Sequence, residues 1–123
     1  MEAKDIKKIA AEISHIEGVN AAYLFGSRAT GKQKPYSDID LCIITNPKIK
    51  KEARNEILAT SSKKIDTHIL SDLPLYIQFR VFKDGKQLFV NSKSGLHKAR
   101  VDVVRKYLDF QPRLERYYRR ILS

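Results

Sequence analysis

The segment that most constrains the fold is Ser37-Asp38-Ile39-Asp40-Leu41-Cys42-Ile43-Ile44. Apart from its two aspartates it is apolar from Ile39 onward, so the strand it predicts over 37–44 is covered on both faces rather than lying at a surface. Such a strand belongs inside a sheet that carries helices. The flanking sequence supplies both. Ile6, Ile9, Ala10, Ile13 and Ile16 recur at steps of three and four, with Lys4, Lys7, Lys8 and Glu12 opposite, and predict a first helix that Gly18 ends. Residues 19–25 form a short apolar strand, and Asn46-Pro47 closes the central one. Ile49, Ala53, Ile57 and Leu58 fall at helical intervals over 49–62.

Residues 64–70 alternate, which places Ile65, Thr67 and Ile69 on one face of a strand and Asp66 and His68 on the other. Ser71-Asp72-Leu73-Pro74 reads as a helix start with Asp72 as its cap. Leu75, Ile77, Phe79 and Val81 also fit strand alternation, but the proline in the first turn favours helix. Asp84-Gly85 marks a turn before a strand over 87–90. From Ser92 a helix carries Leu96, Val101, Val104 and Leu108, and Pro112 is expected to separate a last helix from it. The fold class is α/β (α+β), a small mixed sheet flanked by helices. With 123 residues and 42% hydrophobic content the chain suits one domain, 1–123, with a core over about 1–90 and a C-terminal helical extension over about 92–123.

The two aspartates carry the chemistry. Asp38 and Asp40 are two positions apart, so on a strand both carboxylates project from one face and repel unless a cation or a basic partner lies between them. Magnesium suits such a pair, because it takes hard oxygen ligands and is commonly held by one or two carboxylates plus substrate phosphates. Asp66 is the candidate third acid, as metal ligand and general base, if its strand lies beside the central one. Separated from Asp38 by ten residues, Leu24-Phe25-Gly26-Ser27 ends the preceding strand. Gly26 lets backbone approach a phosphate, and Ser27 offers a hydroxyl and an N–H at the start of a helical turn. Arg28, Lys32 and Lys34 are candidate phosphate contacts, Arg through a bidentate fork and Lys as a point charge.

Each residue also has a plainer reading. Gly26 suits a simple turn, the acids suit a salt bridge to Arg28 or Lys32, Tyr36 needs no ligand in its loop, and His68 suits a satisfied strand histidine. His15 and His97 read as surface residues, and no Cys/His zinc spacing is present.

The combination of Gly26-Ser27, Asp38-x-Asp40 and Asp66 on a later strand resembles the polymerase-beta-type nucleotidyltransferase superfamily. Within it, the small size, the Leu24-Phe25-Gly26-Ser27-Arg28 lead-in and Ser37-Asp38-Ile39-Asp40-Leu41 resemble the minimal nucleotidyltransferase family. The later text, Leu73-Pro74-Leu75, then 80–90 and a basic C-terminal helix, is similar to that family's second half. The resemblance implies a polymerase-beta-like core. It also implies transfer of AMP from ATP, with magnesium (two ions), to a tyrosine of a HEPN-domain ribonuclease toxin, the chain acting as antitoxin in a hetero-oligomer. Asp38, Asp40 and Asp66 would be catalytic and metal-binding; Gly26, Ser27, Arg28 and Lys32 would bind nucleotide. One departure stands out: the family often has an arginine before its second glycine, where this chain has Thr30 before Gly31.

Composition narrows the rest. A net charge of +10 favours a nucleotide triphosphate, an acidic protein or nucleic acid, without choosing among them. Tyr107, Phe110, Tyr117 and Tyr118 among the C-terminal basic residues read as interface anchors or as local core. The lone Cys42 excludes an intrachain disulfide, and the N-terminus carries no secretion signal, which together suit the cytoplasm. No apolar run approaches the ~20 residues that span a bilayer. Two other functions fit the same residues: a nucleotidyltransferase acting on a small hydroxylated molecule such as an aminoglycoside, and a noncatalytic toxin-binding module. The latter has no use for three clustered acids.

Overall fold

Among the described residues four strands form one mixed sheet, and the central apolar segment lies inside it. The computed structural model describes residues 3–26 and 39–122. Helix α1 (Ala3–Ser14) leads into β1 (Val19–Phe25) and β2 (Ile39–Thr45). Helix α2 (Lys51–Leu58) crosses to β3 (Ile65–Ile69), and a short 3-10 turn over Leu70–Asp72 precedes α3 (Leu75–Asp84), β4 (Lys86–Val90) and α4 (Lys93–Leu122). The spatial order is β3-β2-β1-β4, with β2 and β3 parallel and the other pairs antiparallel. A parallel pair needs a crossover, and α2 supplies it.

The expectation that β2 is covered on both faces is met. Leu41, Cys42, Ile43 and Ile44 are each no more than 1% exposed. Leu41 and Ile43 pack with Ile6 and Ile13 of α1, Ile57 of α2, and Ile65 and Ile69 of β3. Cys42 and Ile44 face the opposite layer with Ala21, Tyr23, Val81 of α3, and Leu96 and Val103 of α4. Each fully buried aliphatic side chain adds about 1.5–3 kcal/mol, so this strand anchors two half-cores at once. Burial in apolar surroundings pushes the Cys42 thiol well above its ordinary range, which keeps it protonated and inert.

The three helices that follow strands differ in extent or ends from their sequence reading. Helix α2 is shorter than 49–62 because hydroxyl residues take over its C-terminal end. Thr60 Oγ1 donates to the Ile57 carbonyl at 2.7 Å and accepts from the Thr67 hydroxyl at 2.9 Å, and Ser61 Oγ accepts the Thr67 N–H at 2.9 Å. Those last two bonds tie the edge strand β3 to the turn before it. Helix α3 is a helix, as favoured, but Asp72 does not cap it: the residue before the helix is Pro74, and Asp72 pairs with Arg54. Pro112 does not divide the C-terminal helix, since α4 is continuous over 30 residues. Proline costs its own N–H and crowds the preceding turn, but strong helix formers lie on both sides of it. At the start of α4, Ser92 Oγ accepts the Gly95 N–H at 3.1 Å, which satisfies one of the free amide donors there.

Tyr107 resolves toward local core, stacked on Phe79 of α3 with ring centroids 3.9 Å apart, whereas Phe110 is 46% exposed. The side chains of Tyr117 and Tyr118 lie outside the described set. Among the described residues, no helix is long and apolar enough to cross a membrane.

Candidate active site

The parallel pairing of β2 with β3 is in register at Ile39↔Ile65, Asp40↔Asp66 and Cys42↔His68. Two acids of unrelated sequence position thereby become direct neighbours. Alternation then decides which way they face. Asp40 shares a face with Cys42 and Ile44, Asp66 shares one with His68, and both belong to the α3–α4 side of the sheet. Both acids lie near the starts of their strands, where the apolar layer gives way to solvent, so Asp40 is partly buried and Asp66 is exposed.

His68 joins them. Its Nε2 lies 3.3 Å from Asp40 Oδ1 and 3.5 Å from Asp66 Oδ2. One donor atom from each of the three residues lies within 4.8 Å of the others. Phe25, opposite Asp40 on β1, meets the His68 ring edge-on at 5.7 Å. The sequence places His68 on the same face as Asp66, as a satisfied strand histidine. Their i, i+2 spacing was the available signal for a closer association, which the register with Asp40 completes.

Gly26 ends β1 beside this group. Its φ of +83° is one that residues with a side chain rarely adopt, and a Cβ there would come 2.8 Å from Asp40 Oδ2. The missing side chain therefore keeps space open against the carboxylate. Two carboxylates, one imidazole and this cradle fit a divalent cation with a phosphate approaching over the glycine. Ser27, Arg28, Lys32, Asp38 and also Lys34 and Tyr36 lie outside the described residues. His15 and His97 are exposed.

The model of the family described as "Polymerase beta, Nucleotidyltransferase" matches residues 5–94. The chain belongs to this nucleotidyltransferase family. The match takes in β1, β2 and β3, so Gly26, Asp40 and Asp66 all fall within it. Among curated proteins, a Methanocaldococcus jannaschii chain named "Putative protein adenylyltransferase MJ1547" is 35% identical over 66 residues, 54% of this chain and 52% of that one. The match thus spans about half the length of that relative.

Two solved structures share the fold. A chain of a toxin–antitoxin crystal structure with AMP-PNP superposes with a TM-score of 0.71 at 20% identity, covering 100% of both chains. A chain from the tri-AMPylated Shewanella oneidensis HEPN toxin in complex with MNT antitoxin gives 0.64 at 18% identity, covering 98% of this chain and 95% of that one. At these identities the likeness shows a shared fold, and it extends over the part of the chain that lies beyond the family match.

Proposed function

We propose that this chain transfers AMP from ATP to a tyrosine hydroxyl of a HEPN-type toxin partner and so acts as its antitoxin. The observation that carries the transferase reading is the in-register pair Asp40 and Asp66 with the Gly26 backbone against Asp40. Family membership and the adenylyltransferase name of the archaeal relative support nucleotidyl transfer. The toxin–antitoxin neighbours of similar fold support the choice of partner.

Asp40 and Asp66, with Asp38 assigned on sequence, would hold magnesium, two ions by the family pattern. When bound, magnesium neutralises triphosphate charge and aligns the α-phosphorus. The chain's own groups do the rest. Gly26 leaves room for a phosphate, and Ser27, Arg28 and Lys32 are the assigned phosphate contacts. Asp66, 54% exposed against 30% for Asp40, is the carboxylate an incoming hydroxyl reaches first. It accepts the hydroxyl proton as the oxygen attacks the α-phosphorus, the bond to the bridging oxygen breaks, and pyrophosphate leaves. The charge of +10 draws both a triphosphate and an acidic partner surface. The setting is the reducing cytoplasm, which suits the free Cys42.

Intact-mass spectrometry of a co-expressed HEPN partner, after incubation with this chain, ATP and magnesium, tests the reading. The expected result is a gain of AMP units on the partner, absent with Asp40→Asn and after chelation. A stable complex with no gain would overturn it, and would point to neutralisation by occlusion or to a small hydroxylated acceptor.

A further inference from the structure

His68 is not needed to explain the fold of β3, since Ile65, Thr67 and Ile69 supply that strand's buried face. It projects instead from the face that carries Asp66, with the edge-on ring of Phe25 beside it. Its Nε2 stands 3.3 Å from one carboxylate oxygen and 3.5 Å from another. A tight charge-assisted hydrogen bond from imidazolium would be about 2.7–2.9 Å. Neighbouring donors around a single divalent ion, each about 2.1 Å from it, stand about 3.0 Å apart in an octahedron and about 3.4 Å apart in a tetrahedron. Both observed separations are longer than that hydrogen bond; 3.3 Å lies between the two donor–donor spacings and 3.5 Å just above the larger.

We propose that His68 is a direct donor to the divalent cation held by Asp40 and Asp66, giving this chain a mixed nitrogen–oxygen site that prefers Mn2+ to Mg2+. The inference rests on the reading of Asp40 and Asp66 as cation-holding residues. Its chemistry follows from donor type. Magnesium takes hard oxygen ligands and gains little from imidazole, whereas transition-metal ions accept imidazole readily and follow the Irving–Williams order. A histidine that merely counterbalanced the two carboxylates would do the opposite: it would compete with the cation, and its removal would tighten metal binding.

The experiment is pulsed EPR of Mn2+ added to the full chain together with inorganic tripolyphosphate, which contains no nitrogen. Wild type and His68→Gln are compared, with His15→Gln as the exposed control and circular dichroism as the check on folding. The expected spectrum shows an imidazole nitrogen coupling that is lost in His68→Gln and kept in His15→Gln. Mn2+ affinity should fall about tenfold in His68→Gln, while Mg2+ affinity, read by competition, moves by less than about twofold. Suppose instead that Mn2+ binds and is lost in Asp40→Asn, but with no histidine coupling, or with unchanged or tighter binding in His68→Gln. The His68 assignment then falls and the cation-holding role of the aspartates stands. No Mn2+ binding to wild type even with tripolyphosphate would overturn both.

Discussion

Two polar groups lie on the same face of the sheet, two residues apart along β1, and they are built differently. Around Tyr23, opposite Cys42 in the register, the hydroxyl accepts from Arg100 at 2.9 Å and donates to Gln87 at 3.3 Å. The Phe82 ring packs edge-on against Tyr23, and the guanidinium lies over that same ring. One donor, one acceptor and one cation find their partners across β1, β4, α3 and α4, so the group closes on itself. Around Asp40, opposite Phe25, two carboxylates converge on a single imidazole, with a glycine that leaves space against one of them. The first arrangement fastens helices to the sheet. The second brings two carboxylates together where the apolar layer ends, an arrangement that a divalent cation would stabilise.

The largest expected effect breaks the second group. Asp66→Asn removes a carboxylate and a like-charge neighbour while keeping the side chain's shape. The rate of AMP transfer to the partner should fall about 10²–10³-fold, the scale on which a lost group that stabilises transition-state charge is felt. The thermal midpoint should hold or rise, because the strand keeps its pairing and loses a repulsion. A parallel loss of midpoint and rate would instead make Asp66 a structural acid, and the contrast with Tyr23 would disappear.

The contrast also marks what the sequence could show. The face that Asp66 shares with His68 was legible because β3 alternates cleanly, and the β2 run is apolar enough to demand a neighbour on each side; the parallel register that sets Asp66 beside Asp40 was not. The helix over α3 was legible from Pro74 despite residues that also alternate. His68 was legible only as sharing a face with Asp66, since its approach to Asp40 depends on register, which no single strand encodes. Asp72 looked like a cap by local sequence, but Arg54, eighteen residues earlier, claims it across the fold. Pro112 looked like a helix end because proline is weighed by its local cost, whereas a long helix with good formers on either side absorbs that cost. The Tyr23 group was invisible, since its members are separated by 64 and 77 residues and carry no motif.

Gly26→Ala probes the junction between the two kinds of construction, being backbone geometry set against a candidate functional carboxylate. A φ of +83° costs a side-chain-bearing residue about 1–2 kcal/mol. The new Cβ must also displace Asp40 Oδ2 or move away from it. The expected outcome is a modest loss in a denaturant melt together with a drop in transfer rate of about 10²-fold, larger than the stability loss alone explains. A stability loss with full activity at a temperature where the variant is folded would show that the close approach of Gly26 to Asp40 is only turn geometry.

Tyr23→Phe should have the smallest effect and the cleanest meaning. The ring, buried at 4% exposure, keeps its packing against Phe82, and only the hydroxyl is lost. Arg100 and Gln87 are both exposed enough for water to replace that partner, so the cost should be about 1 kcal/mol in a urea melt rather than the larger penalty of a buried orphan. AMP transfer per folded molecule should be unchanged. The hydroxyl lies on the same strand and face as Phe25, which packs against His68, so a shift of β1 would be felt at the cluster. If transfer nevertheless fell tenfold or more with the fold intact, the Tyr23 group would be setting the position of β1 under the active site, and the two groups would be one device.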